Sequence, residues 1–233
     1  MQLPQIGYFE LFLVLIPVAI IGLVMRQWKI ATKDYWLANL RMVLQLLLIG
    51  FVLIYIFKHN NLWLGLLVMA FMLLVSAWIA LRPIPNKDQQ HFTDITIGLL
   101  IGCGLILALI IGAILNLSPW YQAQYVIPFA GMLFANTMNS ISLSGERFVH
   151  EYNRHKDKQK SRNQAFNTAM IPQINSLLAV GLVALPGMMT GQIIAGVSPL
   201  IAARYQIVIM AAILSSSAIS VMVYLYCRLR RLP

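Results

Sequence analysis

Charged residues are scarce in this sequence. They make up 10% of the 233 residues, whereas an average soluble domain has about 25%, and 60% of the residues are hydrophobic. The whole chain therefore cannot be a soluble globular protein. Its net charge of +10 comes from basic residues that adjoin apolar stretches. Anionic lipid headgroups are thus a better partner for this charge than nucleic acid.

Residue types that usually carry catalysis or hold metal are also few. The two cysteines, Cys103 and Cys227, form no Cys-x-x-Cys pair, which argues against a disulfide framework and a thiolate metal site. The four histidines are scattered, which argues against a metal cluster. The sequence lacks a Gly-rich phosphate loop with Lys and Ser/Thr, so the chain cannot hydrolyse ATP by itself. We expect a protein that is not an enzyme and binds no cofactor of its own.

Long apolar stretches are what the chain does contain. A helix needs about 20 predominantly apolar residues to cross a bilayer. Seven stretches approach that length, near residues 8–25, 41–57, 62–81, 95–117, 126–144, 168–186 and 206–227. The sequence therefore predicts an all-α, polytopic membrane protein with about seven transmembrane helices, in a single domain over residues 1–233. Of the acidic residues, only Glu10 falls inside a predicted span.

The basic residues fall in every second gap between these stretches. Of the 17 basic residues, only Lys58 and Arg204 lie in the other gaps. Positive charge collects on the cytoplasmic side of membrane proteins. The pattern predicts an outside N-terminus and an inside C-terminus, and an odd number of spans agrees with it.

Two of the cytoplasmic gaps are long. Residues 26–40 alternate basic with aromatic residues, which suits a helix lying in the membrane interface, or a plain loop with an aromatic anchor. Residues 145–167 are highly charged, and we expect a cytoplasmic loop there. Within the fourth span, Gly98 and Gly102 are one turn apart, a spacing that lets two helix backbones approach closely.

Uncharged polar residues distinguish the fifth and sixth spans. On a helix, one face of the fifth span would carry Met132, Asn136, Asn139 and Ser140. Asn175 lies on a similar face of the sixth. Amides in lipid must find partners. These faces form a candidate substrate path through a bundle interior, or else they bond one helix to another.

The segment 186–199 is apolar yet rich in Pro and Gly. Two prolines and three glycines in 14 residues cannot sustain a regular helix. Irregular backbone at membrane depth persists only where protein covers it or where it lines a cavity. We expect a broken segment near the outer end of the bundle, with an ordinary extracellular turn as the alternative. The candidate gate residues are Pro186, Gly187, Met188, Met189, Thr190, Gly191 and Gln192.

The run 181–192, GLVALPGMMTGQ, resembles the hallmark of the FetB-type ABC permease family. That family includes bacterial iron-export permeases and plant aluminium-tolerance proteins. Other residues resemble its pattern in the same order: Arg41, Gln45, Gly50, Pro128, Gly131, Met132, Asn136, Met138, Asn139, Ile171, Pro172, Asn175, Gly196, Ser198, Pro199, Ala203, Tyr205, Gln206 and Ile207. On this resemblance, Gln45 joins the candidate substrate path.

The resemblance implies a permease subunit that works as a dimer with two copies of a separate ATP-binding subunit. It implies export across the cytoplasmic membrane, with ATP used by the partner subunit. Between the fifth and sixth spans the family carries a segment that resembles an ATPase-docking loop. Here that stretch is shorter and lacks the family's Gly, and the residues expected to dock the ATPase are Phe148, Tyr152 and Phe166.

The predicted function is export of metal ions such as iron by alternating access. The alternatives are an ATPase-independent secondary transporter or channel, an ABC exporter of a nucleotide sugar, and a scaffold that transports nothing. The 12 methionines are either a path for soft metal ions, since thioethers favour Cu(I), or ordinary fillers of an apolar core. No metal ligand is assigned.

Overall fold

The protein is helical throughout its described part. A computed structural model describes residues 7–59, 61–85 and 87–232, and of Tyr8 only the backbone. These ranges contain no β-strand and eight α-helices: α1 (Tyr8–Gln27), α2 (Lys33–His59), α3 (Leu62–Leu81), α4 (Gln89–Leu109), α5 (Ala123–His155), α6 (Lys158–Ala179), α7 (Gly187–Ile194) and α8 (Pro199–Arg231). α4 continues into a π-helical turn over Ile110–Ile114. The all-α prediction is confirmed.

Six of these helices, α1 to α5 and α8, are long and apolar enough to cross a membrane. The sixth predicted span, 168–186, is not part of any of these six helices. It is helical only as far as Ala179, and it continues the polar first half of α6. The number of transmembrane helices is thus close to the predicted seven, and the orientation of the chain stays a prediction.

The helices group into two units, one up to His59 and one from Asn61 onward. In the first unit, Tyr35 Oη donates a hydrogen bond to the Val18 carbonyl oxygen at 2.8 Å and so joins α2 to α1. The described residues do not form the separate interfacial helix expected over 26–40. Instead, residues 33–40 are the first turns of α2, because no Gly or Pro separates them from the apolar stretch that follows.

In the second unit, α4 packs closely against α8. A Cβ atom on Gly98 would lie 2.8 Å from the Ser220 carbonyl oxygen, and one on Gly102 would lie 2.8 Å from the Ser216 carbonyl oxygen. The small residues therefore bring the two backbones into contact, as their spacing predicts. Buried apolar side chains such as Leu99 pack around this contact.

Helices α5 and α6 form a hairpin, and this corrects the loop expected over 145–167. Lys156 ends α5 with a φ of 56°, and Asp157 caps α6 by accepting a hydrogen bond from the Lys160 backbone N–H at 2.9 Å. Arg147 and His155 each lie four residues from Glu151, with nitrogens 2.9 and 3.5 Å from its carboxylate oxygens, a spacing that favours a helix. With 33 residues, α5 is about 50 Å long, roughly 20 Å more than the hydrocarbon core of a bilayer.

Candidate transport site

Five of the six predicted path residues lie on α5 and α6. Ser140 is buried, and its Oγ accepts a hydrogen bond from Gln173 Nε2 of α6 at 3.0 Å. Asn136 Nδ2 donates to the Met132 carbonyl oxygen of its own helix at 2.8 Å, and both residues are half-buried. Ser140 thus bonds one helix to another. Its partner Gln173 is a buried polar residue that the sequence analysis did not identify.

The other path residues do not point into the unit. Asn139 on α5 and Asn175 on α6 are exposed. Gln45 is exposed on α2, in the first unit. An amide without a partner in hydrocarbon costs free energy, so Asn139 and Asn175 need a cover that the second unit does not provide. Their place at a dimer axis stays a prediction.

A buried hydroxyl cluster lies where α5 meets α8, and the sequence analysis missed it. Thr137 Oγ1 is 3.2 Å from Ser216 Oγ and 3.4 Å from Ser217 Oγ. Nearby on α8, the buried Ser220 Oγ has no hydrogen-bond partner among the described residues. The signal available was the serine run 215–217 inside an apolar span. Hydrogen bonds of this kind between membrane helices contribute about 0.6–2 kcal/mol each.

A buried carboxylate lies where α4 meets the end of α8. Asp94 is 0% exposed, and the helix that carries it is one of the six able to span the membrane. Arg231 Nη2 lies 2.9 Å from Asp94 Oδ1, and the two groups form an ion pair whose geometry does not give a hydrogen bond. Arg228 Nη1 lies 3.4 Å from Asp94 Oδ2. Asp94 lies one residue before the predicted fourth span, 95–117, on the same helix. Contact with α8 buries Asp94, and hydropathy along α4 does not reveal such a contact.

One turn earlier on the same two helices, His91 and Tyr224 are both buried. The His91 Nδ1 and Tyr224 Oη atoms are 3.1 Å apart. Two ionisable side chains thus adjoin the ion pairs of Asp94, and the sequence analysis had not placed any of them together.

The predicted gate residues lie on α7 and just before it. Gly181, after α6, has a φ of 81°, and Gly196, after α7, has a φ of 94°. Residues with a side chain rarely adopt such angles, so glycine allows the sharp turns at these two points. The segment 186–199 is irregular at both ends, as predicted. The eight residues of α7 are helical nonetheless, and Met188, Met189, Thr190 and Gln192 are half-buried.

A cavity of about 470 Å³ lies among α6, α7 and α8. Its lining includes Leu177, Gly181, Met189, Gln206, Met210 and Leu214. Gln206 is 6% exposed, and its Oε1 atom has no hydrogen-bond partner among the described residues. Two thioethers and an amide oxygen suit a soft cation or an uncharged hydrogen-bond donor. The described residues contain no group of three or more His, Cys, Asp or Glu arranged to hold a metal ion.

The predicted docking residues lie in the α5–α6 hairpin. Phe148 is 2% exposed and stacks on Tyr152, with ring centroids 6.1 Å apart, so it supports the hairpin from inside. Tyr152 and Phe166 are half-buried. The buried Glu151 carboxylate forms an ion pair with Arg147, whose Nη2 atom lies 2.9 Å from Oε1. The side-chain amide of Gln164 is oriented with its nitrogen toward Glu151. In this orientation Gln164 Nε2 donates a hydrogen bond to Glu151 Oε1 at 3.2 Å, which joins α6 to α5.

Comparison with known proteins identifies the family. The profile of UPF0014, described as an uncharacterised protein family, matches residues 8–232. The chain belongs to this family. The resemblance that begins with the run 181–192 is thereby confirmed, and the UPF0014 protein is a multi-pass membrane protein of a permease family.

Three relatives show that the similarity covers most of the chain. The chain is 33% identical to the probable iron export permease protein FetB of Escherichia coli K12, over 95% of this chain and 89% of FetB. It is 34% identical to a UPF0014 membrane protein of Synechocystis, over 87% and 84% of the two chains. It is 30% identical to the protein ALUMINUM SENSITIVE 3 of Arabidopsis thaliana, over 77% and 70%. No solved structure matches the chain.

Proposed function

We propose that this protein is the permease subunit of an ABC exporter in the cytoplasmic membrane, and that its substrate is a metal ion such as iron. The observation that carries the proposal is the α5–α6 hairpin, which continues beyond the length needed to cross a bilayer. A separate ATPase needs such a rigid element to transmit force into the membrane. The likeness to FetB supports iron as the substrate.

The hairpin is built to move as one body. Its two helices are joined by a short turn at Lys156 and Asp157, and the buried Glu151 holds them together through Gln164. Tyr152 and Phe166 present partly exposed aromatic surface, which is the kind of group that anchors a protein interface. Phe148 lies beneath Tyr152 and keeps its ring in place.

The substrate path of the proposed exporter runs between two copies of the chain. Asn139 and Asn175 are exposed on each copy, and a second copy would cover them from lipid. On the same part of α5, Met132 and Asn136 are half-buried, whereas Ser140 is buried and bonds to Gln173 of α6. The short helix α7, with a glycine at each end, serves as the outer gate.

Association with an ATPase tests this function directly. The protein is purified in mild detergent from its native host, and co-purifying ATPase activity is measured. Tyr152→Ala and Phe166→Ala should each weaken association about tenfold, as loss of an interface anchor does. Asn153→Ala, an exposed neighbour on α5, should have no effect. If both aromatic variants retain the ATPase as the parent does, the hairpin is not the docking element.

Transport decides the substrate. Inside-out vesicles that contain the assembled complex should accumulate radioactive iron only when ATP is present. If the assembled complex hydrolyses ATP but transports no iron, the protein is still an ABC permease subunit, and iron is rejected as its substrate.

One observation favours an ATPase-independent transporter as the second candidate. Asp94, His91 and Tyr224 bring ionisable groups together inside the helix bundle, beside Arg228. Such groups in membrane helices mark proton or ion pathways. The purified chain, reconstituted alone in liposomes, should then transport in response to a pH gradient, whereas the ABC permease should not.

A further inference from the structure

A groove of about 550 Å³ separates the first half of α6 from the last turns of α8. α6 contributes Arg162, Asn163 and Phe166, and α8 contributes Met222, Tyr226 and Leu229. The α8 wall is open to the outside, because Met222 is 55% exposed and Tyr226 is 54% exposed. The groove is thus an accessible apolar channel with a polar edge, of a size that holds small molecules elsewhere in proteins.

Positive charge is concentrated at one end of this groove. Arg162 Nε and Nη2 donate to Asn163 Oδ1 at 3.1 and 2.9 Å, which fixes the plane of the guanidinium and leaves Nη1 outside this contact. The Arg230 guanidinium lies 4.5 Å from the centre of the Tyr226 ring. No acidic residue occurs among the described residues that line the groove. Its charged end therefore favours an anion.

The end of the groove is held in place by the chain itself. Lys158 Nζ, at the start of α6, donates to the Leu232 carbonyl oxygen just past α8 at 3.1 Å. This contact joins the two helix ends above the groove. Below it, α8 is long and apolar enough to cross a membrane, and Met222 and Leu229 lie on this helix.

We propose that this groove binds an anionic phospholipid such as phosphatidylglycerol. The phosphate lies against Arg162 and Arg230, and one acyl chain lies along Met222 and Leu229. Arginine suits this role because its planar fork can donate two hydrogen bonds to one phosphate. A lipid fits better than a protein segment because the charged and apolar parts of the groove follow each other along α8, as headgroup and acyl chain do in a phospholipid.

Native mass spectrometry of the purified full chain measures this binding. The chain, stripped of lipid in detergent, is titrated with phosphatidylglycerol and, separately, with phosphatidylcholine of the same acyl chains. We expect tighter binding of phosphatidylglycerol. Arg162→Gln should weaken that binding about fivefold, the factor that one interfacial cation represents. Leu229→Trp, which fills the apolar part of the groove, should displace both lipids from the site.

Lys160→Gln is the matched control. It removes the same charge from an exposed position two residues earlier on α6, outside the groove, and should leave binding unchanged. If Arg162→Gln and Lys160→Gln weaken phosphatidylglycerol binding equally, the binding depends only on the net charge of the protein, and the proposal is overturned. Equal binding of the two lipids would overturn it as well. So would a result in which Arg162→Gln binds lipid normally but no longer associates with a second copy or with the ATPase, because the groove is then a protein interface.

Discussion

At the scale of residues, the three arginines at the end of α8 have different surroundings. Arg228 and Arg231 both contact the buried Asp94, whereas Arg230 lies over the exposed ring of Tyr226. The sequence presents all three as one basic tail that reports topology. In the structure two of them also neutralise a carboxylate that would otherwise be buried without a partner. This division makes Asp94 a critical residue for the packing of α4 against α8.

Asp94→Asn should lower the free energy of unfolding by about 3 kcal/mol, because it leaves two arginines next to an enclosed site without their counter-charge. Unfolding in detergent, followed by circular dichroism, measures the change. Asp88→Asn is the matched control on the same helix. Asp88 is exposed and caps α4 by accepting from the His91 backbone N–H, a role that Asn performs equally well. Equal stability of the two variants would show that the buried ion pairs contribute nothing.

At the scale of elements, only some of the small residues of α4 make a helix contact. Cβ atoms on Gly98 and Gly102 would press on the backbone of α8, whereas one on Gly104 would have no neighbour within 4 Å. All three glycines look alike in the sequence. The rotation of α4 about its axis decides which of them faces α8, and that rotation is set by packing against the whole bundle.

Gly102→Ala should destabilise the protein by about 1–3 kcal/mol, because the added methyl group must push α8 away. Gly104→Ala should be neutral or stabilising, by up to about 1 kcal/mol, because alanine favours a helix and meets open space. Thermal unfolding of both variants in the same detergent measures the difference. Similar losses in both would mean that the contact between α4 and α8 is looser than in this structure.

At the scale of the whole molecule, the exposed amides are where the proposed dimer would place its axis. Asn139 and Asn175 lie on adjoining helices of the second unit and are both exposed. In a two-fold symmetric dimer, a residue next to the axis meets its own copy. A dimer with its axis at these residues would shield both amides and create a polar path between the copies.

Asn139→Cys, in a chain whose Cys103 and Cys227 are replaced by Ala, should form a disulfide-linked dimer under mild oxidation in membranes. Leu105→Cys is the control, since Leu105 is 55% exposed but lies on α4. The fraction of dimer on a non-reducing gel is the readout. Cross-linking through Leu105→Cys but not through Asn139→Cys would place the dimer interface elsewhere and leave the exposed amides without an explanation.

Sequence alone determined the class, the family and the approximate number of spans of this protein. The length of apolar stretches and the placement of charge determine which segments enter lipid, because each residue has its own cost of transfer into the bilayer. Both can therefore be obtained from the sequence without a structure. The run 181–192 was sufficient to recognise the family. The break around 186–199 was also predictable, because Pro and Gly act on the local backbone.

Tertiary structure decided which polar residues meet. Ser140 meets Gln173 and Thr137 meets Ser216, whereas Asn139 and Asn175 remain exposed. The burial of Asp94 and the continuation of α5 into a hairpin with α6 were likewise not predicted. The hydrogen bonds and the burial of Asp94 depend on partners distant in the sequence. The exposure of the amides depends on the rotation of a helix, and the continuation of α5 depends on contacts across one helical turn. Hydropathy and composition contain none of this information, because they record what a residue is and not what it faces.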